Sequence, residues 1–285
     1  MTENTNPLKS FYRQPQISIK LPSKQKYYPE TVVQKTATGE HPVLPMTAMD
    51  ELAFRTPDSM MNGQATVDVI KSCIPTILDP WQLVNHDIDT VLVAIRIASY
   101  GETMDVTSGV PGTNESATHT VNLPQMLESI GRVEIVDSCT LRDGLKIAVS
   151  PLTYKVITDS QLTTFEQQRI FTQVSQSDMA PQEKTKRFQD SFKMLTELNM
   201  NLLVSNIAAI TLPQGQTVTD RAQIKQFVDN ADAKLVKELE TKLIEIRLQG
   251  SIKPVKVRAT EEQIKAGAPA NYEVPITFDN ANFFA

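Results

Sequence analysis

Two cysteines, three histidines and a few closely spaced carboxylates are the first places in this chain to look for chemistry. Cys73 (IKSCIP) and Cys139 (VDSCTL) stand among apolar neighbours, far apart in sequence, which describes reduced core thiols better than nucleophiles or a disulfide framework. His41, His86 and His119 share no ligand spacing with one another or with the cysteines, and a tetrahedral metal site needs such a set. Asp87 and Asp89, and Glu238 and Glu240, are two residues apart, so on a helix the paired carboxylates point in different directions. They read as capping or solvated charges, and Thr219–Arg221 reads as a helix start. No phosphate-cradling glycine loop, nucleophile elbow, HExxH or CxxC pattern occurs. The chain is therefore expected to have no catalytic residues, no cofactor and no metal, and not to be an enzyme.

Its bulk properties narrow the classes further. With 285 residues, 40% hydrophobic and 21% charged, it has enough chain for one large or two modest domains. A net charge of -5 offers no general basic field for nucleic acid or an anionic membrane. No apolar run approaches the roughly 18 residues that span a bilayer. The opening MTENTNPLKSFYRQ lacks the apolar core of a secretion signal, so the protein is expected to stay in the cytoplasm where it is made.

The elements that would position any site fall into four stretches. Residues 1–45 form an arm in which Pro7, Pro15, Pro22, Pro29, Pro42 and Pro45 interrupt every helical window. Ile17, Ile19 and Leu21 nevertheless alternate like the buried face of a strand, and Tyr27 and Tyr28 add aromatic area. An extended apolar segment without an obvious mate is expected to add itself to a sheet edge on another chain. The alternative is a tail folded back on its own domain. Residues 46–158 carry helices, a first ribbon and a β-hairpin. Helix starts are read at Thr56-Pro57, with a stop at Gly63, then at Thr66 with an end at Pro75, at Asp79-Pro80 and at Asp87. A short helix is read over Leu123–Ile130. RVEIVDSC and GLKIAVS, joined through Asp143-Gly144, carry the hairpin signal.

Residues 159–250 read as helical. Leu162, Phe165 and Ile170 are candidates for one buried side, followed by a long periodic face through Phe188, Phe192, Leu195, Leu198, Leu202 and Ile210. That face is expected to be central to the core. Two further helices are read around Ile224–Val228 and from Asp232 to Leu248. Residues 251–285 hold Val255 and Val257, then Val274, Ile276 and Phe278, as two strands around a polar connection. The same strand–knuckle–strand layout occurs at Val106–Val121, whose middle is SGVPGTNES. The fold class is therefore α+β: a mostly helical body with one hairpin and two ribbon units.

DELAFRTPDSMMNG, the stretch Ile70–Met104, LKIAVSPLTYKVITDSQLTTFEQQRI and the ending VPITFDNANFF together resemble the baseplate hub family of contractile-tailed, T-even-type bacteriophages. The likeness runs in order from about residue 46 to the C-terminus. It implies a myovirus structural protein or tail-assembly factor in the baseplate hub of the virion, with no catalytic residues to carry over. Its partners would be other phage baseplate or hub proteins, with a homo-oligomer also open. Neither nucleic acid nor a membrane is expected as a partner. Members of that family often carry paired cysteines in the two ribbon loops, whereas SGVPGTNES and RATEEQIKAGAP have none. Both loops are thus expected to have lost their metal ligands and to be held by turn chemistry, packing or a neighbour. The expected contact residues are Ile17, Ile19, Leu21, Tyr27 and Tyr28 in the arm, and Phe283 and Phe284 at the end. Two other readings compete: a transient hub-assembly chaperone absent from the mature particle, and a tail-associated cell-wall hydrolase.

Overall fold

The computed structural model describes residues 6–54, 63–249 and 252–276. The chain divides into two compact units. The first draws on the residues up to Pro80, on His86–Val133 and on the segment from Ser251. The second is formed by Trp81–Asn85 and Glu134–Gly250.

In the first unit the arm folds back. Strand β1 (Ile17–Ile19) pairs antiparallel with β2 (His41–Val43), Ile17 opposite Val43 and Ile19 opposite His41. Pro42 sits at the centre of β2, which a two-stranded ribbon permits because one side of each strand has no mate. The segment expected to pair with another chain pairs here within its own, as in the alternative reading of a tail folded back on its own domain. Helices α1 (Ala48–Phe54) and α2 (Gln64–Cys73) follow. Gly63 is the N-cap residue of α2, and Thr66 is buried within α2 rather than capping it. The start read at Thr56-Pro57 lies outside the described residues. The axis of the unit is α3 (Asn85–Tyr100), buried on nearly every side from His86 to Ile97. Such a helix cannot be read as amphipathic, and its run of Ile, Val and Leu is a core sequence.

Strands β3 (Thr103–Gly109) and β4 (Ser116–Asn122) form the first ribbon, in register from Thr103–Asn122 to Gly109–Ser116. Asn122 then caps α4 (Leu123–Gly131) by accepting from the Gln125 N–H at 2.8 Å.

The second unit holds a four-stranded antiparallel sheet. Its strands are β5 (Ser138–Thr140), β6 (Lys146–Val149), β7 (Ile207–Thr211) and β8 (Thr217–Val218), in that spatial order. The expected hairpin is its first half, closed by Leu141 N–H to Leu145 C=O and Gly144 N–H to Leu141 C=O, both 2.9 Å. The second half corrects the helical reading: Ile210 lies on β7 opposite Ile147. Helices α5 (Tyr154–Gln176) and α6 (Pro181–Ser205) lie between the halves. Thr153 caps α5, so it begins five residues before Asp159. Helices α7 (Arg221–Asn230) and α8 (Ala233–Gln249) complete the unit, with Asp220 capping α7.

Where the core sits is a second correction. It gathers Ile147, Ile207, Ile224, Leu239 and Leu243 from sheet, α7 and α8, and takes only Leu203 and Val204 from the end of α6. Along the rest of α6 Phe192 is 59% exposed, and Phe188, Leu195, Leu198 and Leu202 are only partly buried. Phe165 of α5 is exposed as well, while Leu162 and Ile170 are partly buried. The two helices pack on each other through a seam that includes Gln167, Val174 and Ser191.

The last strands, β9 (Val255–Arg258) and β10 (Asn271–Val274), pair with Val255 opposite Val274. Ile276 lies beyond β10, and Phe278 lies outside the described residues. Their connection contains α9 (Glu261–Lys265), fixed by a reciprocal Thr260–Gln263 capping box.

These burials set an order of cost. Leu239→Ala, at a fully enclosed site, is expected to lose about 2–5 kcal/mol, and Leu195→Ala clearly less. Urea unfolding followed by the fluorescence of Trp81, the one tryptophan and a member of the second unit, measures both. Equal losses would return α6 to the centre of the core.

Candidate interaction surfaces

The two ribbons hold each other. The loop at Val110–Glu115 is closed by Val110 N–H to Glu115 C=O at 2.8 Å, while Thr113 Oγ1 donates to Val110 C=O at 3.0 Å. The connection of the second ribbon is closed by Ala259 N–H to Ala270 C=O at 3.0 Å. Val110 is buried with Ala259, Ala268, Tyr272 and Val274, joining the loops in one small core. His119 and Tyr272 add an edge-on ring contact, 5.9 Å between centroids, and a 3.2 Å hydrogen bond between Tyr272 Oη and His119 Nε2. At the closest point the backbones meet glycine to glycine. A Cβ on Gly112 would stand 2.5 Å from the Gly267 carbonyl oxygen, and both residues have positive φ. Only glycine satisfies both demands. Among the described residues no three His, Cys, Asp or Glu side chains are grouped as a metal ion would require.

The arm's contact residues divide between inside and outside. Ile19 and Leu21 are buried in their own unit, whereas Ile17, Tyr27 and Tyr28 are partly exposed. Phe283 and Phe284 lie outside the described residues. What fixes the arm is polar, and the apolar alternation does not reveal it. The carboxylate of Asp87, in the first turn of α3 and wholly enclosed, accepts from the Ser23 N–H at 2.9 Å and from the Tyr28 hydroxyl at 2.5 Å. Burial raises the pKa of Asp87, and these donors oppose the rise. His41 is also enclosed, and burial lowers its pKa, so the neutral ring is favoured. Its Nε2 faces the Gln25 amide nitrogen at 2.9 Å, which must donate, leaving Nδ1–H to donate to Thr76 Oγ1 at 2.8 Å. Arg13 ties the arm's start to α1 and α2. Its guanidinium donates to the carbonyls of Pro45 (2.7 Å) and Ser72 (2.8 Å) and lies 3.3 Å from Asp50. A lone arginine in a Pro-rich segment carries no local signal of such a role.

Burial and the nearby Asp50 carboxylate push the Cys73 thiol up to about 12, and burial also raises Cys139. Arg96 is buried with its guanidinium over the Tyr100 ring at 4.4 Å, and its Nε and Nη1 meet no hydrogen-bond acceptor among the described residues. Asp89 is partly buried with no donor among the described residues, and burial raises it to about 7.

What both units do leave open is apolar surface. Leu8, Phe11, Tyr12, Met49 and Leu52 are exposed in the first unit, Phe11 at 84%. Phe165, Phe171, Phe192, Met194 and Ile244 are exposed in the second. Large exposed apolar side chains thus occur in both units.

Two outcomes follow from this geometry. Gly112→Ala is expected to cost about 1–3 kcal/mol from strain and overlap, and to speed amide exchange in β3 and β10, whereas Gly109→Ala has free space. Equal effects would show that the clasp does not rest on the glycine contact. Asp89 gives a pH signature. Its folded carboxyl is raised, so its contribution to stability is full below the ordinary Asp value near 4 and is lost as pH rises through about 7. Asp89→Asn should therefore raise Tm relative to the parent at pH 8 and change it little at pH 4, and an equal shift at both pH values would contradict the assignment.

Compared with known families, residues 14–263 match the family model described as T4 bacteriophage base plate protein. No curated protein and no solved structure matches the chain. Among the described residues no helix is long and apolar enough to cross a membrane.

Proposed function

This chain belongs to the T4 bacteriophage base plate protein family, and from that premise we propose that it is a non-enzymatic structural or assembly component of the central hub of a contractile tail baseplate. A baseplate protein works in the phage tail, where its partners are other tail and baseplate proteins. The observation that carries the finer reading is the contrast between the two kinds of side chain. Groups that could react are enclosed and used for folding: the Cys73 thiol is raised to about 12, and Asp87 and His41 hold the arm. Large apolar groups such as Phe11 and Phe192 face outward instead. Burial of complementary surface is then the mechanism, and the free energy of assembly comes from apolar area removed from water. Ile17, Tyr27 and Tyr28 keep part of their surface outward, supported from below by Ile19 and Leu21. Together with Phe283 and Phe284 they are proposed as contacts with hub neighbours.

Quantitative mass spectrometry of purified particles tests this reading. The chain is expected at a fixed copy number per tail, and tails assembled without it should lack a complete hub. Its absence from mature particles that nonetheless required it would make it a transient assembly chaperone. Wall-degrading activity of the purified chain would overturn the non-enzymatic assignment.

A further inference from the structure

We propose that the groove between α6 and α8 in the second unit receives α8 of a second copy of this chain. The groove has a volume of about 230 Å³. Leu203 and Leu243 form its apolar floor, Ile244 stands at its lip 47% exposed, and the amides of Asn199 and Asn206 lie along the α6 side. Glu240 and Arg247 close the α8 side.

The charges identify the occupant. Of the acidic residues on α8, Glu238 lies 3.7 Å from Arg142 and Glu245 lies 3.2 Å from Lys242. Glu240 has no ion pair among the described residues, and neither has Arg247. They stand on the same side of the helix two turns apart, about 10 Å along its axis, too far to satisfy each other. A second α8 laid antiparallel, with a two-fold axis beside Leu243 and Ile244, changes this. Glu240 and Arg247 lie equally far from that axis in opposite directions, so each Glu240 meets the other copy's Arg247, twice over. The same operation carries each Ile244 toward the leucine floor of the other copy. Apolar contact supplies the affinity. The exposed charges fix direction and register and disfavour a parallel arrangement, which would set like charges together. The contact is small, so the dimer is weak and reversible, in the micromolar range. It rests on this chain's own surface and does not depend on the baseplate reading.

Sedimentation equilibrium of the full-length chain tests it, with circular dichroism confirming that each variant is folded. Glu240→Arg and Arg247→Glu are each expected to weaken the dimer about tenfold, and the double variant to recover most of that loss, because the swap restores opposite charges. Ile244→Asp should leave a folded monomer. Three results would each overturn the proposal: a parent chain that stays monomeric at about 100 µM, a double variant no better than the single ones, or a dimer indifferent to Ile244→Asp. Two copies joined elsewhere, or a groove kept for a different protein, would show themselves in these ways.

Discussion

A carboxylate removed from water must be answered by donors, and in the first unit Asp87 takes its donors from the arm. Stripping such a charge of solvent without compensation costs several kcal/mol, more than a marginally stable fold can lose lightly. The Ser23 amide and Tyr28 hydroxyl reach it across more than fifty positions of sequence. In return, a Pro-rich segment with little capacity to form helices is held against the most enclosed helix of the unit. With residues 23–28 fixed, β1 can meet β2, His41 can reach Gln25 and Thr76, and Val32 and Val33 can enter the core. Ordering so many residues costs about 1–2 kcal/mol each in backbone entropy. The arm bears that cost only because its polar anchors and its apolar face bind the same surface.

Much of this architecture is legible in the amino-acid order because local chemistry agrees with the final fold. Both ribbons, the hairpin around Asp143-Gly144, the helix after Asn122 and the helices from Arg221 and Ala233 announce themselves by turn residues, caps and spacing. The failures share a different cause. Ile210 continues the spacing of α6, yet Asn206 ends that helix and Ile207–Thr211 finds strands on both sides. A short apolar run does not disclose whether it will be strand or helix. The periodic face of α6 is genuine, but periodicity shows which residues share a side and not how deeply that side is covered. Phe192 belongs to the pattern and stays exposed.

The candidate surfaces were less accessible still. Alternation singled out Ile17, Ile19 and Leu21 as apolar and extended, without disclosing that the receiving strand lies at His41–Val43. Asp87 was legible as a charge near a helix start, and its use as the arm's anchor was not, because that depends on contacts distant in sequence. Arg13 is the same case. The groove beside α8 combines one helix on each side of the sheet's third strand in chain order, so its apolar floor and its charged rim are never adjacent in the chain. That neither loop contains cysteine is, by contrast, a direct sequence observation, and what holds the loops is physical: each is the other's support.

The clasp between Gly112 and Gly267 also sets a timetable. Roughly 150 residues separate the two glycines, and at ordinary rates of translation that interval lasts on the order of ten seconds. Throughout it the nascent first ribbon has Val110 without the residues that later cover it, while Glu134–Gly250 of the second unit are being synthesised. The first unit is therefore completed last, although its first residue leaves the ribosome first. A chain released after the second unit but before β9 would leave Val110 without its cover. Completion of the ribbon pair therefore waits on translation of β9 and β10.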